Sequence, residues 1–227
     1  MSIAEKLTTI AENEQKVYEA GKKSQYDEFW DSFQDNGNRT IYARAFQYNW
    51  NDINFKPKYD MNITGSLSTS FAYNDITDLA SRLEECNVKL DTTNATSFSE
   101  FVYLSGITRL PELVTYGATG FSRAFTSGNL ITMDNLVLKE DGSQSFTNTF
   151  QSCTKLTNIK ITGKIGNDVS FSNSPNLTYD SLMSIINALK DYKDTGETRT
   201  LTLHADAKGR LSESDIAIAT QKGWTVA

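Results

Sequence analysis

Residues 145–162 read SFTNTFQSCTKLTNIKIT, and the fold turns on whether this stretch is a reactive site or one unit of a repeat. Cys153 within it is one of two cysteines in 227 residues. The phenylalanine pair Phe146 and Phe150 precedes it, and the aliphatic ladder Leu156, Ile159 and Ile161 follows. The same order recurs along the chain. Phenylalanines stand at 98, 121, 146 and 171, at intervals of 23, 25 and 25 residues, and second phenylalanines follow in FSEF (Phe98, Phe101) and FSRAF (Phe121, Phe125). Leu113, Leu136 and Ile159 are 23 apart, and Leu138 matches Ile161 at that interval. Phe71, with Ile76 and Leu79 behind it, marks an earlier and more degenerate unit. A fixed period of this length is the signature of repeat architecture. It makes Cys153 a small-residue position within a structural unit.

A solenoid explains this order of features. Side chains alternate across a strand, so Ile159 and Ile161 face inward while Asn158, Lys160 and Thr162 face outward. The paired phenylalanines fill the opposite side of the same coil. One unit cannot bury them alone, and stacking neighbours builds the core. The competing account makes each F-x-x-x-F an i,i+4 helical pair. The intervening Thr, Asn, Ser and Gly are poor helix formers and the segments are too short to nucleate, so the solenoid is preferred.

The two ends read differently. Residues 1–35 predict a helix, with Ser2 and Glu5 as a capping box and Ile3, Leu7, Ile10 and Val17 on one narrow stripe. Such a stripe suits a coiled-coil seam, which Glu14 and Gly21 interrupt. With Phe29, Trp30 and Phe33 these are the candidate oligomerisation or docking residues; the plainer alternative is a helix folded back on the main domain. Residues 36–60 form an aromatic-rich connector, where Ile41, Ala43 and Ala45 alternate as a short strand would and DNGNRT (35–40) reads as a turn. Degenerate repeats fill 61–177. Residues 178–227 form a cap that covers the open end of the stack and blocks edge-to-edge pairing. In it Thr178 opens a helix carrying Leu182, Ile185, Ile186 and Leu189 on one face. A strand at RTLTLH turns Leu201 and Leu203 inward, Ser212 and Asp215 open a second helix that Gly223 closes, and WTVA ends the chain as a strand.

FTNTFQSCTKLTNIKI (146–161) resembles the F-x-x-C-x-x-L-x-x-I unit of BspA-like leucine-rich repeats, found in surface proteins of bacteria and some parasites. The likeness covers roughly residues 61–204, and only the unit at 145–162 matches closely; FSRAFTSGNL (121–130) has Gly128 or Asn129 where cysteine is usual. The ends, MSIAEKLTTIAENEQKVYEAGKKSQYDEFWDSFQDNGNRT and IAIATQKGWTVA, are similar to those of leucine-rich-repeat proteins in phage and prophage structural gene sets. The resemblance implies an α/β leucine-rich-repeat solenoid with short parallel strands, an N-terminal helix and an α/β C-terminal cap. It also implies a tail- or fibre-related virion protein, made in the bacterial cytoplasm, whose N-terminal helix attaches it or forms a homotrimer while the repeats are displayed outward.

Lys and Arg total 22 against 28 Asp and Glu, a net charge of −6 that repels phosphate backbones, so no nucleic-acid partner is expected. No apolar run reaches the roughly 20 residues a bilayer span needs, and the polar N-terminus does not read as a signal peptide. Cys86, Cys153 and the single histidine, His204, cannot close a zinc site or supply a Ser-His or Cys-His pair. No P-loop, G-x-G-x-x-G or G-x-S-x-G pattern occurs. The chain is therefore read as non-enzymatic and without metal or cofactor, with a carboxylate pair assembled in three dimensions left open. The leading expectation is adhesion to a host-surface glycan or protein; the alternative is a connector or decoration protein bound to other virion proteins through its N-terminal helix. Outward strand positions would carry the contact in three rows. These are Asn135, Asn158 and Thr200; Val137, Lys160 and Thr202; and Lys139, Thr162 and His204.

Overall fold

Leu113 lies against Leu136, 23 positions on, a crossover long enough for parallel pairing. The computed structural model describes residues 12–18, 20–21, 26–27, 30, 38–39, 46–48 and 50–227. Among them the chain is mixed α/β, with short parallel strands in three three-stranded sheets. The first sheet joins β1 (Asn38–Arg39), β2 (Met61–Ile63) and β3 (Leu90–Asp91). The second joins β4 (Arg109–Val114), β5 (Thr132–Val137) and β6 (Asn158–Thr162). The third joins β7 (Val169–Phe171), β8 (Arg199–Leu203) and β9 (Trp224–Val226). Helical backbone occupies residues 12–18 (α1). The later helices are α2 (Leu79–Cys86), α3 (Tyr179–Ala188), α4 (Ala205–Lys208) and α5 (Glu213–Gln221).

The phenylalanine-bearing stretches are turns, and their hydrogen bonds explain why. Glu100, Val102 and Leu104 donate their N–H groups to the carbonyls of Ser122, Ala124 and Thr126 at 2.9, 2.9 and 3.0 Å. Arg123 and Phe125 repeat the pattern onto Thr147 and Thr149. Every second residue thus bonds to the next turn rather than four residues back, which excludes a helix. Glu100, Leu104, Arg123, Asn148 and Ser152 adopt positive φ values of 50–63° to permit this. Each costs roughly 1–2 kcal/mol in backbone strain, offset by the ladder and by ring burial. Phe98, Phe121 and Phe146 lie 5.9 and 5.4 Å apart between centroids, and Phe125, Phe150 and Phe171 lie 5.5 and 4.4 Å apart. The buried side chains form one contiguous cluster from Trp30 to Val226.

Several expectations shift. Between β5 and β6 the pairing is Met133 with Ile159 but Leu136 with Ile161, so Leu136 does not face Ile159. β5 uses three residues where β6 uses two, a bulge that carries the same inward spacing as Leu110 and Leu113 on β4. Asn38 and Arg39, expected in a turn, pair with Asn62 and Ile63, because the open edge of β2 supplies partners that outweigh local turn preference. The strand expected at Ile41, Ala43 and Ala45 lies outside the described residues. Helix α2 is an addition to the expected elements: Asp78 caps it through the N–H of Ser81, and Leu79 and Leu83 bury its inner face.

The C-terminal region follows its local signals. Thr178 caps α3, which buries Leu182, Ile185 and Ile186, with Leu189 buried just beyond. Ser212 and Asp215 form a reciprocal capping box on α5, Gly223 follows that helix at φ 84°, and Trp224 donates its Nε1–H to the Lys190 carbonyl at 2.8 Å. The strand at β8, however, does not extend the β4–β6 sheet. Helix α3 lies there instead: the N–H groups of Ile159 and Ile161 donate to Ser181 Oγ and Ser184 Oγ at 2.9 and 2.8 Å. β8 pairs with β7 and β9.

Candidate functional site

That placement breaks the three expected rows. Asn135 faces Glu112 and Val137 faces both Val114 and Thr162, whereas Thr200 faces Thr225 and Thr202 faces Ser170 in another sheet. Asn135 is only 9% exposed, and its side chain is committed to the sheet. Its amide donates to Glu112 Oε2 at 2.8 Å, and its Oδ1 accepts from Thr162 Oγ1 at 3.0 Å. Val137 is buried and Lys139 half-buried; Asn158, Lys160 and Thr162 are exposed. His204 caps α4, its Nδ1 accepting from the Asp206 N–H at 3.1 Å.

Thr200 and Thr202 take part in a different arrangement. They line a groove of about 480 Å³ together with Thr147, Asn148, Asp168 and Ser170. The groove borders a discontinuous run of outward hydroxyl positions, interrupted at Gly120 and shifted in register at Thr202. Ser66 pairs with Ser97, Gly120 with Ser145, Ser170 with Thr202 and Thr200 with Thr225. The signal is in the sequence as triplets: SLS (66–68), SFS (97–99), GFS (120–122), SFT (145–147), SFS (170–172) and TLT (200–202). Each central residue is buried and its two neighbours point outward. The hydrophobic period picks out the central residues and is silent on the flanking ones. Ser66, Ser68 and Ser97 hydrogen-bond to one another, whereas the hydroxyls of Ser145, Thr147, Thr200 and Thr202 have no protein partner among the described residues. Asp168 is the one carboxylate in the groove, and its Oδ1 accepts from the Thr200 N–H at 2.7 Å.

The chemistry this permits is hydrogen bonding to an uncharged, hydroxyl-bearing ligand. Among the described residues no three His, Cys, Asp or Glu side chains are placed to hold a metal ion. No helix in them is long and apolar enough to cross a membrane. Comparison with protein-family models, curated proteins and solved structures returns no match. The candidate rests on its geometry.

The cysteines are accounted for separately. Cys153 is fully buried, with its Sγ 3.0 Å from the Phe125 carbonyl of the preceding turn. Burial pushes its thiol up to about 12. Cys86 is half-buried, and its thiol is raised chiefly by burial. A thiol titration of the native protein should therefore modify Cys86 first and reach Cys153 only on unfolding. Because the folded pKa of Cys153 exceeds the unfolded value, its protonated state favours folding below about pH 9, and that contribution is lost as pH rises toward about 12. Over that window the stability of the native chain should fall more steeply than that of Cys153→Ala, by up to about 1.4 kcal/mol per pH unit. Parallel slopes would contradict the buried-thiol account.

Of the expected docking residues, Ile3, Leu7, Ile10, Phe29 and Phe33 lie outside the described residues. Val17 is 73% exposed on α1. Trp30 is buried, at 1% exposure, stacked on Phe46 and edge-on to Trp50 and Phe55, so its ring is spent on the core.

Proposed function

We propose that this chain is a non-enzymatic binding protein: a leucine-rich-repeat solenoid of the BspA-like kind, carried on a phage or prophage virion, that adheres to a host-surface glycan. The observation that carries this reading is the groove of about 480 Å³ at Thr200 and Thr202, whose free hydroxyls suit a polyol better than an ionic ligand. Sugar rings offer many hydroxyls and little charge, and several weak hydrogen bonds along a file of donors and acceptors can bind them in register. Display of several copies through the N-terminal helix would raise avidity without new contacts.

The test is binding of purified cell-wall and capsular polysaccharides to the full chain, to Thr200→Ala/Thr202→Ala, and to a chain lacking residues 1–21. This deletion, unlike one at residue 36, spares the buried Trp30. The double variant should lose most affinity while unfolding at an unchanged urea concentration. The deletion should weaken avidity and leave monovalent affinity intact. If no polysaccharide binds, and the chain lacking 1–21 instead loses attachment to virion proteins, the connector reading replaces adhesion.

A further inference from the structure

The gap between the first and second sheets forms a groove of about 880 Å³. The chain leaves the flank of β4 at Asp78, which bridges Arg109, forms α2 and β3, and returns at Thr92, whose hydroxyl donates to the Val114 carbonyl at 2.8 Å. Between these ties, among the described residues, β3 pairs only with β2, and β4 only with β5, so two strand edges border one space without joining. The floor is apolar, with Leu83 and Val88 buried and Leu90, Pro111 and Val114 half-buried. Pro111 has no N–H to offer, which leaves β3 as the edge able to add a strand.

The rim carries Asp60, Glu84, Asp91 and Glu112 against the single cation Lys89. Among the described residues only Glu84 of these approaches a cation, Arg109 at 3.5 Å. Asp60 accepts from the backbone N–H of Lys89, Asp91 from that of Thr93, and Glu112 from the Asn135 amide. Hydrogen bonds from Thr93 hold the Asp91 carboxyl below its usual range, so it stays charged. The carboxylates are spread along the rim and do not converge on a point, consistent with the lack of any metal-holding group among the described residues.

We propose that this groove docks an extended segment of a partner protein in which Lys or Arg alternates with aliphatic residues. The segment would add main-chain hydrogen bonds to β3, lay its aliphatic side chains on the floor, and direct its cations to the rim carboxylates.

The probe is a labelled hexapeptide of alternating lysine and valine, titrated into the full chain by fluorescence anisotropy. Its glutamate–valine counterpart and spermine serve as controls, the latter as competitor. Binding should weaken about tenfold in Asp91→Asn/Glu112→Gln and again between about 0.05 and 0.5 M salt. The glutamate–valine peptide should not bind, and spermine at the same concentration should not displace the probe. Far-UV circular dichroism checks that the exposed-site double variant remains folded. Absence of binding, equal binding to the double variant, or equal binding of the glutamate–valine peptide would overturn the proposal. So would displacement by spermine, since a bare polycation offers neither main chain nor aliphatic groups.

Discussion

Phe121→Ala should lower the free energy of unfolding by about 3–5 kcal/mol, the range for an aromatic side chain truncated in a closed core. Its ring is 0% exposed and touches three others, Phe98, Phe125 and Phe146, at centroid distances of 5.9, 6.1 and 5.4 Å. Each such pair adds about 0.5–1.5 kcal/mol beyond its buried area. The turn itself has no helix or long strand to hold it once the ring is gone, so little can collapse into the cavity. Phe121→Leu should cost less than half as much, because it retains most of the volume. Urea unfolding followed by tryptophan fluorescence measures both, with Trp30 and Trp50 in the aromatic cluster at one end of the chain and Trp224 near the other. Since the core is contiguous, both ends should report one transition in each variant. A loss below about 1 kcal/mol would mean that the ring ladder contributes little beyond filling space.

Gly163→Ala should be comparably damaging for a different reason. Gly163 follows β6 at φ 88°, and a Cβ there would overlap the Leu138 carbonyl oxygen and stand 2.8 Å from the carbonyl carbon. Those are backbone atoms of the neighbouring strand segment, so no side chain can swing aside. The left-handed conformation alone costs an alanine about 1–2 kcal/mol, and the clash raises the total to about 3 kcal/mol or more. Gly196 provides the control. It has φ 74° with nothing within 4 Å of the place a Cβ would take, so Gly196→Ala should cost only the conformational part. Equal losses at the two sites, measured by urea midpoint, would show that Leu138 yields and that the close approach is not needed.

Much of this molecule was legible because its inward residues repeat. The phenylalanine intervals located the turns, and the aliphatic ladder located β4, β5 and β6. Caps at Thr178 and Ser212 were readable because a capping hydroxyl bonds within three residues of itself, so sequence alone contains the whole interaction. What failed was long-range. The rows linking β6 to β8 assumed that the next aliphatic strand takes the next place, and the serines of α3 had already occupied it. The bulge in β5 displaced Leu136 by a residue relative to β6, which no interval count reveals. The groove beside α2 is invisible to a 23-residue period, because it lies in a longer excursion containing Asp78 and Leu83. The hydroxyl triplets were in plain view, yet their meaning depends on which flank they share.

Ser181 and Ser184 close one edge of the β4–β6 sheet. An edge strand whose N–H groups point outward is a template on which another chain can pair. With their two oxygens, α3 occupies the donors of Ile159 and Ile161 that a foreign strand would need. On that edge a helix stands where a further strand would pair, and two small hydroxyls deny the donors of β6 to a foreign chain.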